Sequence, residues 1–150
     1  MLLWPIYGLS KRYSKRYKFD IPSKPRNPFR RSLHVFVIDA GSDVELLLEF
    51  YSLMSPKYNI HRYGIFFVNT PRHADLLVIL SKPTEKMLPI VKEAINQMPE
   101  PFGALLIENE TFENGVDIDL PNLVGRLKGN LEAEEIFKKL VEIAKGGLIC

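Results

Sequence analysis

Residues 70–101 read TPRHADLLVILSKPTEKMLPIVKEAINQMPEP, and this stretch decides the fold. Thr70-Pro71-Arg72 opens it as a turn. Leu76-Leu77-Val78-Ile79-Leu80 follows as an apolar run with no polar alternation, the pattern of a strand covered on both faces. Met87, Leu88, Val91, Ile95 and Met98 then recur at three- and four-residue steps, which predicts a helix that Pro99 closes. Strand, loop and helix in that order predict an α/β fold with a parallel sheet. Ligands on such sheets sit beyond the carboxyl ends of the strands, so the Ser81-Lys82-Pro83-Thr84 loop belongs to the candidate site.

Upstream, Leu33 to Ile38 is a second apolar strand, and Asp39-Ala40-Gly41 turns the chain. Ser42-Asp43-Val44-Glu45 matches a capping box, with Glu45 at its third helical position. Val44, Leu47, Leu48 and Tyr51 continue that helix until Pro56. Downstream, Gly103 to Ile107 is a further strand, and Thr111 to Gly129, rich in Asn, Gly and Asp, reads as loop. Asn130 is the expected cap of a closing helix with Ile136, Leu140 and Ile143 on one face, stopped by Gly146-Gly147. The expectation is one α/β domain over residues 32–150, with a mainly parallel sheet of about four strands flanked by helices. A basic arm and a Pro-rich strap, residues 1–31, precede it.

A chain of 150 residues with 46% hydrophobic and 25% charged residues has the composition of a globular domain, not a disordered one. No apolar run approaches the roughly 20 residues that span a bilayer, and the first residues lack the apolar core and cleavage site of a signal peptide. The one cysteine is Cys150, which excludes an intramolecular disulfide and suits a reducing compartment. The net charge of +2 conceals an asymmetry: residues 1–31 carry nine Lys/Arg against Asp20, or +8, and the remainder carries eleven against seventeen acids, or −6. Within MLLWPIYGLSKRYSKRYK, residues 1–18, an arc of Leu2, Leu3, Ile6, Leu9, Tyr13 and Tyr17 opposes Lys11, Arg12, Lys15, Arg16 and Lys18. Three partners suit such an arm: a membrane surface with Trp4 at headgroup depth, another subunit or the chain's own core, or nucleic acid. Residues 19–31, FDIPSKPRNPFRR, are an extended strap.

No catalytic constellation stands out. His34, His61 and His73 lack metal-ligand spacing and are read as structural. There is no Gly-x-Gly-x-x-Gly, P-loop or Gly-x-Ser-x-Gly. The turn Asp39 to Ser42 opens a helix, yet one glycine between Asp39 and Asp43 makes a poor phosphate cradle. Asp75, before the central strand, is expected to bond turn amides.

Several segments carry a family resemblance. Pro71-Arg72-His73-Ala74-Asp75-Leu76-Leu77, then Thr84-Glu85-Lys86-Met87-Leu88-Pro89, then Gln97-Met98-Pro99-Glu100-Pro101 resemble the small subunit of membrane-bound [NiFe] hydrogenases. They are equally similar to the roughly 20 kDa subunit of NADH:quinone oxidoreductase (complex I). SPKYNIHRYG, residues 55–64, matches that family's approach to the same strand, and the likeness runs from Val35 to Pro101 with a weaker tail over Val116 to Pro121. The resemblance implies a [4Fe–4S] cluster held by four cysteines. Two of them, as CxxC, follow a Gly-Ser turn in the family; here Gly41-Ser42 runs straight into Asp43-Val44-Glu45. The third follows the next apolar strand, where this chain has Glu108-Asn109-Glu110. The fourth lies in a Pro-Gly-Cys-Pro-Pro turn, replaced here by Pro121-Asn122-Leu123-Val124.

The resemblance therefore implies a scaffold without its thiols, and no metal, cofactor or electron transfer is expected. Glu45, Arg72 and His73 match family positions near the cluster and the large subunit, and are candidate partner-interface residues. The expected role is a cluster-free structural subunit of a membrane-attached, energy-converting hydrogenase-like or complex I-like assembly. Its partners would be a hydrogenase-like large subunit and membrane subunits, without nucleic acid. Its place would be peripheral, on the cytoplasmic side, with residues 1–18 available to the membrane. The alternatives are a genuine iron–sulfur electron-transfer subunit and a free-standing regulatory or anion-binding module.

Overall fold

Five strands pair side by side because their apolar runs can satisfy every backbone group only within a sheet. They are β1 (Leu33–Asp39), β2 (Ile65–Val68), β3 (Leu76–Leu80), β4 (Gly103–Glu108) and β5 (Leu123–Lys128), all parallel, in the order β2-β1-β3-β4-β5. The computed structural model describes residues 32–108 and 115–146. Every residue of β3 and of β4 is buried, as the unalternating runs LLVIL and GALLIE predict for central strands. β1 joins β3 from Val35↔Leu76 to Asp39↔Leu80, and β3 joins β4 from Leu76↔Gly103 to Leu80↔Ile107.

Three helices cover the sheet: α1 (Val44–Ser52), α2 (Leu88–Gln97) and α3 (Ala133–Gly146). On one face Leu46, Phe50 and Leu53 from α1 and its end meet Phe137, Leu140 and Val141 of α3 over Val35, Val78 and Leu105. On the other, Val91, Ala94 and Met98 of α2 or its end pack with Ile118 and Leu120 over Ile38, Leu77, Ile79 and Leu106. The parallel α/β fold is the one expected, and so is the helix after β3.

Four expectations are corrected. The stretch read as loop from Thr111 to Gly129 contains β5, an edge strand with a bulge against β4. Its LVGRLK sequence is half exposed and lacks an apolar run, because an edge strand buries little. The Ser42–Glu45 capping box does not form: the helix is entered from Asp43, with no side-chain cap bond. The helix there turns a different stripe inward, Leu46 and Phe50, leaving Val44, Leu48 and Tyr51 at 71%, 64% and 54% exposure. Asn130 does not cap α3. Instead Glu49 reaches from α1, and its Oε2 accepts the Ala133 amide at 2.9 Å.

That last contact ties two helices whose packing also holds the sheet, and it places a carboxylate at the positive end of α3. Glu49→Ala should lower stability by about 1 kcal/mol, the usual worth of a cap. A urea titration measures it, and an unchanged midpoint would mean that the contact contributes nothing. The basic arm, with Trp4, Lys11, Arg12, Lys15 and Arg16, lies outside the described residues, as do the strap, Asn109, Glu110 and Cys150.

Candidate functional site at the carboxyl edge of the sheet

The chain leaves β1 toward β2 on one side, and β3 continues toward β4 and β5 on the other. The strand order therefore reverses between β1 and β3, and a crevice for a ligand is expected beyond their carboxyl ends. Two loops meet there, Ala40-Gly41-Ser42 after β1 and Ser81-Lys82-Pro83-Thr84 after β3.

Asp39, at the tip of β1, folds its carboxylate back on its own turn. Oδ1 accepts the Gly41 amide at 3.1 Å and the Ser42 amide at 2.8 Å. Burial pushes this carboxyl up, but the two amides outweigh it and hold it below the usual aspartate range. The amides that an incoming anion would use are thus already taken by Asp39, which argues against an anion cradle at this turn. Ser42 Oγ is buried and completes no hydrogen bond.

The two loops are joined directly. The Thr84 amide donates to the Ala40 carbonyl at 3.3 Å. Gly41 adopts φ +121°, a conformation that L side chains rarely take, and a Cβ there would lie 3.2 Å from Thr84 Cγ2. Ser81 is buried at φ +69° and donates its amide to the Ile107 carbonyl at 2.7 Å, so β3 and β4 stay locked beyond their last pair.

A third segment closes the edge from the side of α2. Gly115 lies against Lys82 so closely that a Cβ would stand 2.8 Å from the Lys82 carbonyl oxygen. Beside it the Val116 amide donates to the Pro83 carbonyl at 2.9 Å, and Asp117 pairs with Lys82 at 2.8 Å. That bond raises the Lys82 ammonium and lowers the Asp117 carboxyl from their ordinary values.

Glu108, at the end of β4, is 6% exposed. Lys128, its cross-strand partner on β5, reaches Oε2 at 3.2 Å, while Oε1 is buried without a hydrogen bond. Sequence reasoning noted Glu108 only as a cysteine replacement; its legible signal was a carboxylate ending an otherwise apolar strand. Nothing in the sequence signals the left-handed Ser81 or the Thr84–Ala40 bond. No cysteine occurs among the described residues, so this edge presents hydroxyls, carboxylates and amides to its centre.

The candidate interface residues are not brought together. Glu45 is exposed on the first turn of α1, at the carboxyl edge. Arg72 and His73 are exposed on a short 3₁₀ turn before β3, at the opposite edge. Asp75, expected to bond turn amides, instead accepts the backbone amide of His34 at 2.9 Å and faces its Nδ1 at 3.2 Å. His61 Nδ1 lies 3.0 Å from the Ile65 carbonyl.

Comparison with known proteins adds an independent line. No family model matches the chain. Over 134 residues it is 35% identical to the "Probable membrane-bound hydrogenase subunit mbhJ" of Pyrococcus furiosus, covering 77% of this chain and 80% of that protein. Over 84 residues it is 34% identical to an NADH-quinone oxidoreductase subunit of Citrifermentans bemidjiense. That match covers 49% of each, so the chain aligns with about half the length of such relatives. Among solved structures, a chain of the membrane-bound sulfane sulfur reductase, an archaeal respiratory membrane complex, superposes with a TM-score of 0.55. The superposition covers 79% of this chain and 73% of that one at 22% identity, a likeness of fold.

Proposed function

We propose, since this chain belongs to the family of membrane-bound hydrogenase subunit mbhJ and its NADH-quinone oxidoreductase counterpart, that it is a cluster-free structural subunit of a membrane-attached assembly. Its partners in this reading are a hydrogenase-like or complex I-like large subunit and membrane subunits. It sits peripherally on the cytoplasmic side. Among the described residues no helix is long and apolar enough to cross a membrane, which agrees with a peripheral position.

The observation that carries the reading is the chemistry of the carboxyl edge. A [4Fe–4S] cluster is held by cysteine thiolates. At the corresponding places this chain has Ser42-Asp43-Val44-Glu45, Glu108-Asn109-Glu110 and Asn122-Leu123-Val124, and its one cysteine is Cys150. The loops of that edge are also held against one another: the Thr84–Ala40 bond joins those after β1 and β3, and Gly115 packs on Lys82. The residues present do not fit the cluster, and no redox step is derived through it. What the fold retains is a platform whose central strands are buried on both faces.

Iron and acid-labile sulfide, measured on anaerobically purified protein, test this. The expected result is iron far below one atom per chain and no broad absorbance at about 400 nm, where cysteine-bound clusters absorb. Stoichiometric iron would overturn the reading and make the chain an electron carrier.

A further inference from the structure

We infer that the outward face of α1 is the surface through which this chain docks on another protein subunit, one presenting an apolar patch with a basic margin. The inference rests on the reading above that the chain is a subunit, and it names the contact and its chemistry.

A helix on the surface of a domain ordinarily shows one apolar stripe and one polar face. α1 has two apolar stripes. Leu46 and Phe50, with Leu53 just beyond the helix, fill the core. Val44, Leu48 and Tyr51, with Met54 in the turn that follows, point outward at 71%, 64%, 54% and 42% exposure. The spacing of four and three residues sets Val44, Leu48 and Tyr51 along one line about 10 Å long at 1.5 Å per residue, and Met54 follows just beyond the helix. Exposed apolar side chains scattered singly need no explanation, but four in a row at helical spacing form a patch. Tyr51 is the kind of aromatic anchor that dominates interface energetics. The neighbourhood sets the partner's charge. Residues 39–56 carry four acids and no Lys or Arg before Lys57, though Asp39 is folded onto its own turn and Glu49 reaches the Ala133 amide of α3. Glu45 lies beside Val44 on the exposed side. A second copy of this chain would bring acid against acid across the stripe, whereas a basic margin meets it with complementary charge. A stable interface buries about 800 Å² per partner, so the four side chains serve as the anchor of a wider contact.

The test uses the full tagged chain, expressed in its native host and recovered from detergent-solubilised membranes, with co-purifying subunits quantified by mass spectrometry. Leu48→Glu should lower the recovered partner roughly tenfold, as for loss of an interface anchor. Ile90→Glu, at an exposed apolar site on α2 across the sheet, should leave recovery unchanged. A photo-crosslinking residue in place of Tyr51 should join the chain to an apolar segment flanked by Lys or Arg. Both side chains point outward, so thermal melts of the variants should match the parent.

Undiminished recovery with Leu48→Glu overturns the inference and leaves the subunit reading standing. Parent protein that recovers no other subunit removes that reading and the inference with it. Crosslinks that join Tyr51 only to a second copy, or only to residues 1–18 of the same chain, assign the stripe another occupant and also overturn it.

Discussion

Phe137→Ala should cost about 3–5 kcal/mol of unfolding free energy, the range for removing a buried aromatic ring. Phe137 is fully buried near the start of α3. Its ring lies 5.0 Å from that of Tyr63, edge to face, and 5.7 Å from that of Tyr58. These two tyrosines bracket the 3₁₀ turn Ile60–Tyr63, which delivers the chain into β2. The truncation therefore opens a cavity and also frees the short connection between α1 and the edge strand. Denaturant titration, followed by circular dichroism, measures the loss. Phe66→Ala is the contrast: that ring, on β2, is 41% exposed and, among the described residues, stacks against His61 and His34 at 5.6 and 6.1 Å. It should cost less than a third as much, because much of its surface is already in water and its loss opens no closed cavity. Equal losses for the two variants would mean that the core is not centred where the packing puts it.

How far the fold could be read in advance follows from where side chains face. β1, β3, β4 and α2 were legible because each is buried deeply enough to need an apolar run or a helical stripe. β5 was not, since an edge strand that mixes Val124 and Leu127 with Gly125, Arg126 and Lys128 has the composition of a loop. β2, only Ile65–Val68, is too short to declare itself between two turns. α1 was predicted as a helix but not its rotation. VELLLEFYS is apolar on two sides, and which side meets the sheet depends on the exit angle from the Gly41 turn.

The site divides in the same way. The missing thiols were legible residue by residue, through the family resemblance, because a ligand set is a matter of residue type. What occupies the edge was not. Glu49 capping α3 and Thr84 bonding Ala40 join residues far apart in sequence, and no local pattern announces either. The capping box shows the converse. Ser42-Asp43-Val44-Glu45 fits the local rule, yet Asp39 takes the Ser42 amide and the helix begins one residue later.

Gly115→Ala should destabilise the protein by about 1–3 kcal/mol, the usual cost of forcing a methyl group into filled space. The added Cβ would meet the Cβ, carbonyl carbon and carbonyl oxygen of Lys82, atoms that cannot swing aside as the tip of a long side chain can. Either the Ser81–Thr84 loop moves, straining a Ser81 already at φ +69°, or the segment from Gly115 to Leu120 lifts away. The second course breaks the Val116–Pro83 bond and draws Ile118 and Leu120 out of the layer beneath α2. Hydrogen exchange distinguishes the two, since lifting the segment should speed exchange of the Val116 amide while the Thr84 amide stays protected. Asp117→Asn is the companion variant. It removes the exposed Lys82–Asp117 pair without adding an atom, and exposed pairs contribute little, so its melt should lie close to the parent's. If Asp117→Asn costs as much as Gly115→Ala, charge and not close packing closes the carboxyl edge. If Gly115→Ala melts like the parent, the edge has slack, and close packing of Gly115 on Lys82 is not what closes it.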